Sequence, residues 1–424
     1  MTDEPQRPTS NDDREGWKAY WRAQGMPWRT EPEIDEKRQQ FLSDRRLVEP
    51  NIEMGIDPFK DIEPKLNRAD VEWLLATHQS GKLVGPVYWS DEEQPAREGL
   101  DLRGADLRGA SLKCLPLARM RGGLDYNERE GKLYRTRELA AAHLEEADLS
   151  KANLEHANLS RVHFEEAVLR GTNLSGADLF WARLDGVTLT EAQLQGAELQ
   201  YAFLDPATYL SNVILTADGT CSASLAGVRW RGADLSVVNW AQLSALGEEH
   251  VARNPMGRDR KPKDEAFRLR DYQAAVRANR QLAAVLRAQG LNDDADRFAY
   301  KAHKLQREVL RRRGRGIAAF GSRILDITSG YGYRPWFSAI TYVLVIVGFT
   351  GVYFVLRDSV HPALSPLDSL IFSITSFHVR GFSPSEEHVG LSNPLTIFAA
   401  VEAIIGLLIE ITFIATFTQR FFAR

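Results

Sequence analysis

Leucine or an aromatic residue recurs at every fifth position through the middle of the chain. The unbroken run extends from Leu144 to Leu204 in 13 units, and Ala, Val or Thr stands two places before each large residue. A period of five fits neither an α-helix, at 3.6 residues, nor a strand, at 2, so the chain must turn regularly. Both repeating positions therefore point into one narrow, continuous core.

Shorter blocks of the same pattern flank the main run. Ala105–Leu107 and Ala110–Leu112 precede it, and a later block places large residues in step at Leu225, Trp230, Leu235 and Trp240. The register slips between blocks. Residues 119–138 and 205–222 are therefore predicted to be loops that leave the array.

These repeats resemble a known family. The segments AHLEE, ADLSK, ANLEH, ANLSR and GADLF are similar to the A-[DN]-L-x-x units of the pentapeptide-repeat family. The resemblance implies a right-handed quadrilateral β-helix over residues 98–245, with one unit per side and four units per coil. Successive coils would then stack at the spacing of β-strands, about 4.8 Å.

Two apolar stretches near the C-terminus are long enough to cross a membrane as helices. The first, residues 336–356, holds no charge, and the second is residues 395–418. Arginines precede the first and follow the second, so the positive-inside rule places both ends in the cytoplasm. We expect a multi-pass protein of the cell inner membrane, with residues 314–335 as a basic amphipathic linker along the membrane surface.

A third apolar segment, residues 366–377, lies between them and is too short to cross. Ser365 supplies a helix cap, and a short helix that enters and leaves on one side needs protein or water around its ends. The stretch 336–424 resembles the two-transmembrane pore module of the potassium-channel superfamily, and this implies a tetrameric ion channel with a re-entrant pore loop. The family filter T-V-G-Y-G aligns with five residues of this chain, namely Val379, Arg380, Gly381, Phe382 and Ser383.

The filter departs from the family at its first two positions, where Val379 and Arg380 replace Thr and Val. The Thr hydroxyl and the regular carbonyl ladder make the dehydrated potassium sites, so potassium selectivity is not expected. If the Arg380 guanidinium points into the path, anions are favoured; if it is paired, a weakly selective cation path remains.

The second apolar helix carries Glu402, Gly406 and Glu410 on one face, because they are spaced i, i+4 and i+8. Gly406 stands where the family's inner helix has its flexible glycine. The two acids either line an aqueous cavity, or Glu402 neutralises Arg380 behind the filter, or they only hold helices together. We expect weakly selective cation conduction because both acids share the wall available to the cavity.

The remaining segments have simpler patterns. Residues 1–97 have short aromatic patches but no sustained period, so they are expected to form a partly ordered charged arm that packs on something else. Residues 264–313 fit two amphipathic helices broken at Gln289–Gly290, which predicts a helical hairpin.

The 424-residue chain has a net charge of only −4, but this value averages an acidic region and a basic region. Residues 139–204 carry four basic and ten acidic residues, net −6, whereas residues 252–334 carry 20 basic and nine acidic, net +11. The acidic repeat keeps an alternative open: a membrane-anchored scaffold or DNA-mimic binding protein with a non-conducting pore. A nucleic-acid partner is not expected, since no global positive charge favours one.

Nothing in the sequence predicts an enzyme or a cofactor. No phosphate-binding glycine loop or nucleophile elbow is present, and two distant cysteines exclude a disulfide framework. His143, His156 and His163 show no metal-ligand spacing and are expected at the surface. The expected partners are the lipid bilayer, permeating inorganic ions, further copies of the chain and a cytosolic protein that binds the β-helix.

Overall fold

The computed structural model describes most of the chain in two units, Met1–Ala295 and Asp296–Arg424. The described residues are 6–51, 54, 56–88, 97–129, 131–217, 222–257, 261–333, 335–356, 364–378 and 394–422. The residues predicted to form a filter, Val379 to Ser383, lie outside them.

The N-terminal segment holds three helices and a two-stranded hairpin. Their bounds are α1 Arg14–Ala23, α2 Glu36–Arg46, α3 Arg68–Ala76, β1 Gln79–Ser80 and β2 Leu83–Val84. An Asn67–Asp70 capping box starts α3, and Trp17 and Trp21 of α1 are buried. Arg68 donates to the Ser111 carbonyl oxygen at 3.1 Å, so this segment packs on the first coils of the repeat.

The repeat forms a stack of coils. Isolated parallel bridges join residues 20 apart, such as His143 with His163 and Asp148 with Val168. Because four five-residue units complete each circuit, each unit occupies one side of a β-helix. The pattern continues over residues 143–203 without interruption.

The two repeating positions fill the interior, as the period predicts. Every large residue from Leu144 to Leu204 and every small one before it is buried. Burial of a leucine contributes about 2 kcal/mol, so each four-unit coil adds a sizeable apolar contribution to stability. One residue per unit turns the corner with positive φ; Gly171 and Gly176 take this conformation without the Cβ penalty.

The loop boundaries predicted from the register slips need two corrections. Residues 205–222 do not all leave the array, since Leu210 and Leu215 are buried and Tyr209 pairs with Thr188. A single extra residue lengthens the coil from 20 to 21, and a longer insertion then makes the interval 26 between Glu198 and Ser224. The predicted loop shrinks accordingly to the residues after Leu215.

The first insertion is also shorter than predicted. Residues 119–122 stay in the coil, because Arg121 pairs with both Asp101 and Asn158. The inserted segment that follows contains two short helices, α4 Tyr126–Arg129 and α5 Tyr134–Leu139.

Helices cover the last coils. A 3-10 turn at Trp240–Gln242, α6 Gly247–Arg253 and α7 Glu265–Ala288 follow the repeat. The Gln281 side chain of α7 accepts from the Gly227 N–H at 2.9 Å, and Gln289 accepts from the Leu235 N–H at 2.9 Å. These side chains satisfy backbone groups that an open β edge would leave unpaired.

The second unit is helical in its described part. Its helices are α8 Asn292–Arg312, which begins just before it, α9 Gly316–Ser329, α10 Pro335–Val355, α11 Pro366–Phe377 and α12 Pro394–Phe422. Helices α10, α11 and α12 all contact one another, and α9 contacts α10 and α12.

Candidate functional site

Helices α10 and α12 are long and apolar enough to cross a membrane. Only 17% of the residues in the most apolar window of each are buried, whereas a core helix of a soluble protein would be mostly buried. Leu344 of α10 and Ile404 and Ile414 of α12 are more than 60% exposed. These surfaces require either lipid or further protein around them.

Helix α11 fills the angle between these two helices. Its N-terminus is closed by a Ser365–Asp368 capping box with Pro366 in the first turn, which satisfies the free N–H groups. At 12 residues α11 is too short to span a bilayer. Phe377, at its C-terminal end, packs with Ile346 of α10 and Ile409 of α12.

At Gly406, the backbone of α12 lies close to the C-terminal end of α11. A methyl group built at Gly406 would overlap the Phe377 carbonyl oxygen, so only glycine permits this contact. By contrast, a methyl group at Gly348 of α10 would meet nothing within 4 Å. The predicted position of the flexible glycine is therefore also a packing position.

Glu402 joins all three helices from a fully buried position. The Tyr353 hydroxyl of α10 donates to Glu402 Oε2 at 2.5 Å, and the Ser373 hydroxyl of α11 lies 2.5 Å from Oε1. The expected partner Arg380 lies outside the described residues. Both carboxylate oxygens of Glu402 are therefore bonded to side chains of the same chain.

Glu410, one helical turn after Gly406 in α12, belongs to a second hydrogen-bond network. It bonds His378 Nδ1, and the Tyr342 hydroxyl lies 3.0 Å from His378 Nε2. His378 is the C-cap residue of α11 and stands directly before the predicted filter in the sequence. The roles of four of these partners, Tyr342, Tyr353, Ser373 and His378, are not predicted from the sequence. Polar side chains inside or next to apolar helices are the signal that could indicate them.

Helices α8 and α9 are joined by an ionic contact. Arg307 of α8 donates to Asp326 of α9 at 2.8 Å, and the Tyr300 hydroxyl donates to the same carboxylate at 2.7 Å. Burial of Asp326 favours its neutral form, but the bonds from Arg307 and Tyr300 outweigh it and lower the pKa of Asp326. This joint links the basic α8 to the helix that touches α10 and α12.

One side of the β-helix carries a ladder of charged and imidazole groups. His143 and His163 stack on adjacent coils with ring centroids 4.7 Å apart, and Glu145 and Glu165 stand beside them. The carboxylates of Glu138 and Glu165 raise the pKa of His163 to about 9 against the effect of burial. The expectation of a surface histidine is wrong for His163, whose side chain is 13% exposed.

Comparison with known proteins identifies the repeat. The pentapeptide-repeat family model matches eight copies, over residues 138–176, 147–186 and 172–207. This match and the 20-residue coils together establish a pentapeptide-repeat β-helix in this part of the chain. None of the curated proteins compared with the chain matches it.

Solved pentapeptide-repeat structures align with about a third of the chain. Rfr23 from the cyanobacterium Cyanothece 51142 is 25% identical, over 30% of this chain and 90% of that one, with a TM-score of 0.14. HetL from Nostoc sp. Strain PCC 7120, involved in heterocyst differentiation regulation, is 29% identical over 32% and 69%, with a TM-score of 0.14. QnrB1, a plasmid-mediated fluoroquinolone resistance protein, is 20% identical over 36% and 83%, with a TM-score of 0.13.

Proposed function

We propose that the chain is a subunit of a membrane ion channel, with α10–α12 as its pore module and the β-helix as a cytosolic regulatory or docking domain. The observation that carries the proposal is the short capped helix α11, held between two helices of membrane-spanning length. An anchor needs no such helix. In a pore module, the same helix directs its C-terminal end toward the ion path.

Oligomerisation is part of the proposal. One chain supplies one pore segment and cannot enclose a path, and α12 exposes apolar residues on more than one face, among them Leu408 and Phe413. Four subunits follow from the resemblance to the potassium-channel superfamily. The basic residues that precede α10 would lie at the anionic inner leaflet, with both chain ends in the cytoplasm.

We propose weakly selective cation conduction. Glu402 is bonded to Tyr353 and Ser373, so Glu410, with a 35% exposed side chain, is the acid better placed to reach a cavity at the oligomer axis. A ring of four carboxylates attracts cations. The alternative selectivity, for anions, follows if Arg380 points into the path.

The proposal is tested by reconstitution of the purified chain in planar bilayers under a KCl gradient. We expect currents whose reversal potential lies on the potassium side of zero but short of the potassium equilibrium potential. A reversal at the chloride equilibrium potential would show that the cation assignment is wrong. A protein that imitates DNA would bind a topoisomerase such as gyrase. Complete absence of current, together with gyrase binding by the full chain, would therefore favour the scaffold or DNA-mimic alternative. The net charge of −6 over residues 139–204 supports this alternative.

Gly406→Ala tests whether the observed packing of α11 matters for conduction. The added methyl group must displace the Phe377 carbonyl next to the filter segment, and overpacking of this kind costs about 1–3 kcal/mol. We expect a lower unfolding temperature and at least a severalfold loss of current per reconstituted protein. Gly348→Ala is the matched control and should change neither, because its methyl group has room. Equal behaviour of the two variants would contradict the proposed role of the α11–α12 contact.

A further inference from the structure

The 20-residue coil brings together side chains that are far apart in sequence and that suit a transition-metal ion. One ligand atom each from His143, Glu145 and His163 lies within 4.8 Å of the other two. Glu145 Oε1 is 2.9 Å from His143 Nδ1 and 3.9 Å from His163 Nδ1. Ligand atoms around a tetrahedral zinc ion are about 3.3 Å apart, since Zn–N and Zn–O distances are near 2.0–2.1 Å.

The second carboxylate of the ladder can complete the coordination. Glu165 Oε1 lies 3.6 Å from His163 Nδ1. Glu145 Oε2 and Glu165 Oε2 are both buried and have no hydrogen-bond partner among the described residues. A bound cation would supply the partner that these oxygens lack.

Access and neighbouring charge also bear on the site. His143 and His163 line a cavity of about 340 Å³, which gives an ion a way in. Opposing charge comes from Lys60, Arg108 and Arg135, which line the same cavity, and from Arg183, whose Nη1 lies 3.5 Å from His163 Nδ1. Arg108 is paired with Asp106, and Arg183, with a 49% exposed side chain, is paired with Glu165.

We propose that His143, Glu145 and His163 bind a divalent transition-metal ion, with zinc as the natural candidate for a nitrogen and oxygen donor set, and with Glu165 or water as the fourth ligand. The ion displaces the proton of His163 to solvent. Because His143 and His163 belong to successive coils, the ion cross-links those coils next to the inserted α5.

The test measures zinc affinity of the full chain, purified without a histidine tag and carrying Cys114→Ser and Cys221→Ser so that no thiol competes. Competition with a chromophoric chelator should give one ion per chain. His143→Asn, His163→Asn and Glu145→Gln should each weaken binding at least tenfold. His156→Asn is the matched control, a repeat histidine outside the cluster, and should bind as the parent does.

Two further readouts keep the proposal falsifiable if His163→Asn loosens the fold. Glu145→Gln replaces a single oxygen with nitrogen and should keep the parent's circular dichroism spectrum while zinc no longer raises the unfolding temperature. X-ray absorption at the zinc edge should show two imidazole ligands. The proposal is overturned if the parent shows no saturable binding below about 100 μM zinc, or if His156→Asn loses as much affinity as His143→Asn.

Discussion

Two buried glutamates of this chain are stabilised in different ways. Glu402 has hydrogen-bond partners on both carboxylate oxygens. Glu248 of α6 accepts from the Ala226 N–H at 2.6 Å through Oε1, whereas its Oε2 has no partner among the described residues. Burial raises the pKa of Glu248 to about 7, so the protonated form is favoured in the fold.

Glu248 should therefore make the first unit less stable as pH rises. Below pH 4.5 the carboxyl is protonated in both states and costs nothing extra. As pH rises the unfolded state ionises first, so stability falls progressively and the full penalty, about 3 kcal/mol, is reached above pH 7. We expect Glu248→Gln to flatten this decline and to be more stable than the parent at pH 8.

The measurement is chemical unfolding of the full chain followed by tryptophan fluorescence, since eight of the nine tryptophans precede residue 296. Glu166→Gln, at an exposed position of the β-helix in the same unit, is the control and should keep the parent's pH dependence. A Glu248→Gln variant with an unchanged slope between pH 5 and 8 would contradict the burial argument.

At the residue scale, the sequence predicts which positions are buried better than it predicts their partners. The spacing of Glu402 and Glu410 placed both acids on one helix face, but partner choice depended on Tyr353 and His378 from other helices. His163 looked like a surface residue because its neighbours come from one coil away, at a separation of 20 residues. That separation becomes visible only once four units per coil are known.

At the element scale, the sequence predicts the repeating coils better than it predicts the lengths of the insertions between them. Leu and Ala repeated every five residues predict a coil for as long as the repeat lasts. From Leu144 to Leu204 the repeating residues are buried, as this pattern predicts. One extra residue before Leu210 shifts the five-residue spacing, but the coil continues, because Thr188 still pairs with Tyr209 and Gln193 with Ile214. The loop prediction for 205–222 was wrong for this reason.

The joint between α8 and α9 has a measurable role at this scale. Asp326→Asn removes the charge that pairs with Arg307 and weakens the bond to Tyr300, which leaves a half-buried guanidinium without its carboxylate. Such a change costs about 1–3 kcal/mol. We expect faster hydrogen exchange along α9 in the full chain, with exchange in α10 unchanged.

Glu308→Gln provides the comparison for this joint. Glu308 pairs with Arg311 and Arg312 of its own helix, so it does not tie α8 to α9. Exchange in α9 should match the parent in this variant. If both variants accelerate α9 equally, general loosening of α8 and not the Asp326 contact would be responsible.

At the scale of the whole molecule, the net charge of −4 averages two opposite regions, an acidic repeat and a basic stretch before the first long apolar helix. The sequence predicts this division and the position of the apolar helices well, because both depend on composition over long windows. Filter conformation and subunit number depend on contacts between chains and on residues 379–383, so they remain predictions from resemblance.

Membrane topology is the prediction on which the channel proposal depends at this scale. Arginines at 311, 312, 313 and 315 precede α10, and Arg420 and Arg424 follow the second apolar stretch, so both termini should lie in the cytoplasm. The connection between α10 and α12, apart from the re-entrant α11, should face outward. With Cys114→Ser and Cys221→Ser as background, single cysteines at Ser10→Cys, Glu386→Cys and Ala423→Cys report the three positions. A membrane-impermeant maleimide should label only Glu386→Cys in cells with a permeabilised outer barrier and an intact inner membrane. Labelling of Ser10→Cys and Ala423→Cys should appear only after lysis. Protection of all three cysteines before lysis would mean that α10 and α12 do not cross the membrane. The short helix α11 could then not be part of a pore.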